Sequence, residues 1–274
     1  MKEIIGIDVG GSTTKIVAFR RGKMLTPQVV RAADPLTSLY GAFGKFTTEN
    51  GIELDEIKKI IMTGVGSSFA EKPIYGLPCE KASEFECVGR GGLHLSGLDE
   101  AIVISMGTGT AIVYAKRDGD TVKTEYLGGT GVGGGTLVGL SKRMLGMESI
   151  EHIEEIALGG SLDNVDLKIS DISSEGALSL SKNMTASNFG KLSDIATGGD
   201  IALGIINMIF ETVAMLGVFA AKSANLKNIV LTGNLSRISQ AGPTFGSMKD
   251  MFDMNFMIPE NSQFATAIGA ALAK

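Results

Sequence analysis

The stretch Ile4-Ile5-Gly6-Ile7-Asp8-Val9-Gly10-Gly11-Ser12-Thr13-Thr14-Lys15-Ile16-Val17 decides the reading of this chain. An apolar run enters Asp-x-Gly-Gly-Ser-Thr-x-Lys and another leaves it, which reads as a strand, a tight glycine turn and a second strand. Gly10 and Gly11 carry no Cβ, so backbone N–H groups can approach a phosphate closely. Ser12, Thr13 and Thr14 add hydroxyl donors and Lys15 adds a positive charge. Asp8 supplies a hard oxygen suited to holding Mg²⁺ through water. An ordinary glycine hairpin needs neither Asp8 nor Lys15.

Working outward, hydrophobic periodicity predicts strands over residues 3–9, 14–20 and 24–31, and a helix from Leu36 to Thr48 stopped by Asn50-Gly51. A short buried strand, Ile57 to Met62, runs into Thr63-Gly64-Val65-Gly66-Ser67-Ser68. A helix is expected from Glu80 to Leu95, with Ser83 as a cap. Strands follow at 101–106, 111–116 and 121–127, and a helix starts in the glycine run before Thr136 and continues through Leu145. Ile150 to Leu158 reads as helical, 159–200 as polar and irregular, and 201–223 as a long apolar helix, buried or at a dimer interface. Strands at 227–232 and 252–258 and a helix at 263–273 complete the chain. The order hairpin, then strand–helix units, occurs twice. This predicts an α/β chain of two lobes, 1–100 and 101–274, with the C-terminal helix packing back on the first lobe.

Composition is consistent with this. The 274 residues are 44% hydrophobic and 20% charged, enough for a substantial core. A net charge of −5 gives no global basic field for nucleic acid or an anionic membrane. No uninterrupted apolar stretch reaches the roughly 18–20 residues of a membrane span. The opening strand leaves no room for a signal peptide, so a cytoplasmic protein is expected. Cys79 and Cys87 lack metal-ligand spacing and read as reduced thiols.

The glycines cluster where strands should turn near a ligand. Gly107-Thr108-Gly109-Thr110 follows the first strand of the second half and faces the first turn across a cleft, clamping a nucleoside triphosphate from two sides. Gly133-Gly134-Gly135 precedes a helix and offers backbone amides to an anion, or else packs that helix closely on a sheet. Gly233-Asn234 tips another strand. Phosphoryl transfer to a hydroxyl also needs a proton acceptor, and Glu84 or Glu86, opening a helix after a glycine-tipped strand, are the best carboxylates. His94 and His152 have no partner constellation.

Together, Asp8–Lys15, Glu84-Phe-Glu-Cys87, Met106–Thr110, Gly128–Thr136, Thr185-Ala-Ser-Asn-Phe-Gly190 and Ile268-Gly-Ala270 resemble type II pantothenate kinase, in the acetate and sugar kinase, Hsp70 and actin superfamily. The resemblance runs from residue 3 to the C-terminus. It implies an actin-like, ribonuclease H-like fold with an interlobe nucleotide cleft. It also implies a homodimer that uses ATP and Mg²⁺ to phosphorylate pantothenate in the first step of coenzyme A synthesis. It makes Glu84 the base and Asp8 the metal-side carboxylate, with Lys15 beside them. Asp8, Val9, Gly10, Gly11, Ser12, Thr13, Thr14, Lys15, Gly107, Thr108, Gly109 and Thr110 would hold the phosphates. Gly134, Gly135, Thr136, Leu137, Val138, Gly233 and Asn234 would line the nucleotide site. The acceptor would meet Glu84, Arg90, Tyr126, Gly128 and Gly129. Tyr126 stands where the family usually has an Arg, and Arg90 is the candidate to compensate. Two alternatives share the opening motif: a kinase of another small hydroxyl acceptor, and an ATPase activator of a hydroxyacyl-CoA dehydratase. The activators hold an iron–sulfur cluster through cysteines, and Gly128–Thr136 contains none.

Overall fold

The computed structural model describes residues 2–11, 13–31, 34–69, 73–173, 182 and 184–273. The opening apolar run forms β1 (Glu3–Val9), which pairs antiparallel with β2 (Thr14–Arg20). The third segment splits around Pro27 into β3 (Lys23–Met24) and β4 (Gln28–Val30), both antiparallel to β2. Pro27 has no N–H to donate, so the sheet ladder breaks there. Helix α1 (Pro35–Asn50) starts where the Asp34 carboxylate accepts the Thr37 N–H. It stops at Gly51, whose φ of 58° suits a residue without Cβ. β5 (Ile57–Thr63) and β6 (Cys79–Lys81) add parallel strands on the far side of β1. Helix α2 (Glu84–Ser96) follows.

The second half repeats this topology. β7 (Glu100–Met106), β8 (Thr110–Asp118) and β9 (Thr121–Thr130) form an antiparallel meander. After α3 (Gly134–Leu145) and α4 (Ile150–Ala157), a small excursion holds β10 (Leu167–Lys168), α5 (Ile169–Ile172) and β11 (Thr185–Ser187). The long α6 (Gly198–Ser223) leads to β12 (Asn228–Thr232), α7 (Ala241–Phe252), β13 (Asn255–Met257) and α8 (Ala265–Ala271). β12 lies parallel to β7, and β13 parallel to β12. Each sheet is therefore a meander flanked by two parallel strands.

α6 is long and apolar enough to cross a bilayer, yet it is the core helix of the second half. Ile205, Ile206, Ile209, Phe210, Val213 and Val218 are buried with Ile104, Ile229 and Leu231 of the sheet beneath it. A capping box of Thr197 and Asp200 fixes its start.

Two helices cross between the halves. α2 packs on the second sheet, where Val88 and Leu93 join Val103, Val113 and Val230. α8 packs on the first sheet, where Ala267 and Ile268 meet Val17. Where they touch, backbones are in direct contact: a Cβ on Gly91 would sit 1.8 Å from the Ala265 carbonyl oxygen, and one on Gly269 would sit 1.9 Å from that of Cys87.

Several local expectations are corrected. Residues 79–81 are a strand, and α2 begins only at Glu84, with Ser83 in the cap position but making no side-chain capping hydrogen bond. β9 runs on through Thr130 into the glycine run. The last strand covers only 255–257, and Phe252 ends a helix that Gly242, Pro243 and Gly246 disguise as loop. Pro243 is tolerated because it falls in the first turn, where the N–H has no helical partner.

Candidate active site

The register of the first sheet builds the charged part of the site. Asp8 is paired across β1–β2 with Lys15, Lys15 across β2–β4 with Val29, and Asp8 across β1–β5 with Thr63. Paired residues project to the same face, so these four form one row at the strand ends. Gly64 follows with φ +86°, and a Cβ there would lie 2.6 Å from Asp8 Oδ1, so only glycine lets β5 turn under the carboxylate. Lys15 Nζ lies 4.0 Å from Asp8 Oδ2, and both side chains are buried.

Glu84, the first residue of α2, is half-buried and close enough to couple to both. Burial, then the nearby Asp8, raise the Glu84 pKa, and Lys15 opposes them. Burial likewise raises Asp8 and depresses Lys15. The three charges sit in a poorly solvated corner whose ionisation depends on one another. Glu86 is exposed and takes no part.

The two glycine turns meet beside this corner. A Cβ on Gly11 would lie 3.9 Å from Thr108 Oγ1, so the first turn looks directly at the second. From there a cavity of about 500 Å³ opens between the halves, the size range of small-ligand sites. Of the residues singled out in the sequence, Thr13, Gly107, Thr108, Gly134, Gly135, Val138 and Asn234 line it. Val29, Arg31, Glu148, Ser149, Ile150, Glu151, Glu154, Leu235, Arg237, Ile238 and Gln263 line it too. None of these has a local sequence signature for nucleotide contact, because they reach the cleft only through tertiary placement.

Other expected site residues do something different. The Gly134 and Gly135 amides are not open to an anion: they donate to the carbonyls of Gly107 and Thr108 at 2.8 Å each. The glycine run clamps α3 onto the second turn; a Cβ on Gly133 would lie 2.8 Å from Gly109 Cα. Gly109 accepts the Gly107 N–H, and the Gly10 N–H closes its own turn on Thr13. Thr14 is buried with its hydroxyl against Ser38, and Thr110 donates to the Val132 carbonyl. Thr136 Oγ1 caps α3, accepting from Gly133 N–H and donating to the Gly131 carbonyl. Val9 and Leu137 are core residues, 1% exposed each. Gly233 allows β12 to cross over Met106, whose carbonyl oxygen would lie 2.5 Å from an added Cβ. Ser12 lies outside the described residues.

Of the residues expected to meet an acceptor, Tyr126 stacks on Phe85, the neighbour of Glu84 in sequence, with ring centroids 4.0 Å apart. Gly129 sits under the Tyr126 hydroxyl, which would be 3.0 Å from a Cβ at that position; Gly128 takes φ +139° at the β9 irregularity. Arg90, the candidate to compensate for Tyr126, has a partner of its own. Six residues beyond Glu84 it faces roughly 120° away around the helix, and its Nη1 donates to the Gly269 carbonyl at 2.9 Å, docking α8. Cys87 is fully buried beside Ile61 and Ala270, and burial pushes its thiol up to about 11. A protonated core thiol is a poor cluster ligand.

The donor set fits a magnesium ion carried by a nucleotide. Among the described residues no group of three or more His, Cys, Asp or Glu is placed to cage a metal. Asp8 offers a single carboxylate at the phosphate turn, with its partner cation 4.0 Å away. Mg²⁺ in nucleotide sites takes one or two carboxylates, with phosphates and water completing the shell.

Residues 100–271 match the family model described as Fumble. The chain is 29% identical over 245 residues to a type II pantothenate kinase of Bacillus cereus, covering 85% of this chain and 84% of that protein. It is 26% identical to a type II pantothenate kinase of Staphylococcus saprophyticus, covering 84% of each. Among solved structures it superposes on the activator of the 2-hydroxyisocaproyl-CoA dehydratase from Clostridium difficile with bound ADPNP. That match has a TM-score of 0.67 and 18% identity, and covers 98% of this chain and 93% of the other. At that identity the likeness establishes the two-lobed, actin-like ATPase fold and nothing finer.

Proposed function

This chain belongs to the Fumble family, and from that and the cleft we infer that it transfers the γ-phosphate of ATP to the hydroxyl of pantothenate. The carrying observation is the corner in which Glu84, Asp8 and Lys15 adjoin two facing glycine turns. A site that only binds nucleotide has no need of a half-buried carboxylate beside the phosphate turn. Glu84 accepts the acceptor's hydroxyl proton, and its raised proton affinity makes it a better base than an exposed glutamate. Lys15 and the Thr13 and Thr108 hydroxyls meet the charge developing on the transferred group. Asp8 would hold the nucleotide's Mg²⁺, which would supply charge neutralisation at the phosphates.

Tyr126 and Phe85 form the wall against which pantothenate lies. The enzyme works in the cytoplasm as a homodimer, as the family resemblance implies; the exposed Phe219 of α6 offers an apolar contact to a second copy. The dehydratase-activator reading has less support, because Cys87 is a buried, protonated thiol.

The test is ADP release from MgATP with and without pantothenate. Pantothenate-dependent release supports the reading. ATP binding without stimulation by pantothenate overturns the acceptor assignment.

A further inference from the structure

Arg31 and Arg237 are the cations on the cavity wall that neither the motif nor the mechanism above uses; Arg237 donates to Gln263 at 2.8 Å, and Arg31 is the one beside the first glycine turn. In the β2–β4 ladder Val30 is opposite Thr14 and Val29 opposite Lys15, so Arg31 stands one step further on, beside Thr13 of the phosphate turn. Arg31 follows directly on β4, whose Val29 shares the face of Lys15 and Asp8. Both Arg31 and Thr13 line the cavity.

The Arg31 guanidinium reaches across the mouth of the cleft to the other half, where Nη2 lies 2.9 Å from Glu151 Oε1. The two side chains are 66% and 60% exposed, the condition in which an ion pair is weak. Their dependence on each other is unequal. Glu151 also accepts from Ser149 Oγ at 2.9 Å and from its own backbone N–H in the first turn of α4. It therefore stays satisfied when Arg31 leaves. Among the described residues, Glu151 is the single side chain that pairs with Arg31.

We propose that Arg31 binds the phosphates of the nucleotide, and that its pair with Glu151 is the resting position from which an arriving polyphosphate takes it. This rests on the reading of the cleft as an ATP site. A weakly hydrated guanidinium forks onto a phosphate with two charge-assisted hydrogen bonds, and a polyphosphate carries more negative charge than a single exposed carboxylate. The exchange moves the guanidinium from one wall of the cleft to its floor beside Thr13, and it removes the bridge that closes the mouth.

The test is equilibrium binding of MgADPNP, ADP and adenosine to the wild-type chain and to Arg31→Gln, Arg31→Lys, Glu151→Gln and the Arg31→Gln/Glu151→Gln pair. Arg31→Gln should weaken ADPNP by about tenfold or more, the loss expected for a hydrogen bond to a charged group, and leave adenosine unchanged. Arg31→Lys should retain part of the affinity. Glu151→Gln should tighten ADPNP by up to about fivefold, the worth of an exposed pair, and this gain should shrink in the Arg31→Gln background. If Arg31 and Glu151 form only a latch between the halves, both single variants will shift affinity in the same direction. That outcome, or an Arg31→Gln affinity within twofold of wild type, overturns the proposal while leaving the nucleotide reading in place. Failure of the wild-type chain to bind ADPNP overturns both.

Discussion

The two glycine hairpins of this molecule are copies of one design put to different uses. In the first, Val9 closes on Thr14 and the next pair inward is Asp8–Lys15. In the second, Met106 closes on Thr110 and the next pair inward is Ser105–Ala111. The geometry is retained and the charge is gone. The first turn stands beside Asp8, Lys15 and Glu84. The second turn accepts two amides of α3 and presents Thr108 to the cleft. On the function proposed above, one hairpin carries reactivity and the other carries placement. Glycine richness alone therefore says that backbones come close, and the flanking charges say which close approach does chemistry.

The largest break in that comparison comes from Glu84→Gln. It removes the proton acceptor and leaves both turns intact, so kcat should fall by about 10²–10⁴-fold while ADPNP binding persists; steady-state kinetics and a binding titration check this. In the wild type, kcat/KM should fall with decreasing pH at a point above the ordinary 4.5 of a glutamate, because burial and Asp8 raise the Glu84 pKa. The same shift has a cost in stability. A carboxyl whose folded pKa is raised stabilises the fold below its unfolded pKa, and that stabilisation is lost as pH rises through the folded value. Glu84→Gln should therefore raise Tm at neutral pH, and the gain should vanish as the pH approaches 4. A variant that is both inactive and destabilised at pH 7 would place Glu84 in the framework and leave the base unassigned.

What could be read from the sequence divides along the same line. Asp8–Lys15 was legible because a strand's two-residue period and a charged glycine turn are both local signals. The second turn was legible only through its place in the repeated order. The Gly133–Gly135 run was ambiguous because a helix start that binds an anion and one that packs on a turn have the same composition; the carbonyls that accept the Gly134 and Gly135 amides, those of Gly107 and Thr108, each lie 27 residues away. Arg31, Glu151, Arg237 and Gln263 were invisible for the same reason, since they reach the cavity from four separate segments. α7 was missed because glycine and proline signal a turn locally, and only the packing of Phe245 and Met248 under α6 makes those residues helical.

A paired glycine substitution sharpens the contrast at the next scale. Gly11→Ala adds a Cβ with nothing nearer than Thr108 Oγ1 at 3.9 Å, so the fold accepts it and the phosphate does not. Gly133→Ala drives a Cβ to 2.8 Å from the Gly109 and Thr108 backbones, where neither can retreat without moving α3. Gly133→Ala should therefore cost about 1–3 kcal/mol in chemical denaturation, and Gly11→Ala should leave the denaturation midpoint near wild type while weakening ADPNP. If the two effects are exchanged, Gly11 serves packing and the glycine run before α3 serves the ligand, the reverse of the expected division.

The smallest effect is expected where the two hairpins are alike. Thr14 and Thr110 both open the second strand of their hairpin and both are buried. Each hydroxyl serves the fold. Thr14 Oγ1 accepts from Ser38 Oγ at 2.9 Å and so ties β2 to α1, while Thr110 Oγ1 donates to the Val132 carbonyl at 2.8 Å and so holds the approach to α3. Valine keeps the shape and removes the hydrogen bond. Thr14→Val and Thr110→Val should each destabilise by about 0.5–1.5 kcal/mol and shift ADPNP affinity little. Neighbouring hydroxyls in the two motifs, consecutive in the first and separated by Gly109 in the second, would then have opposite duties, with Thr13 and Thr108 facing the ligand and Thr14 and Thr110 facing the core. A large affinity loss at Thr14 with none at Thr110 would show that the division between reactivity and placement extends one residue further into the first strand than the static hydrogen bonds indicate.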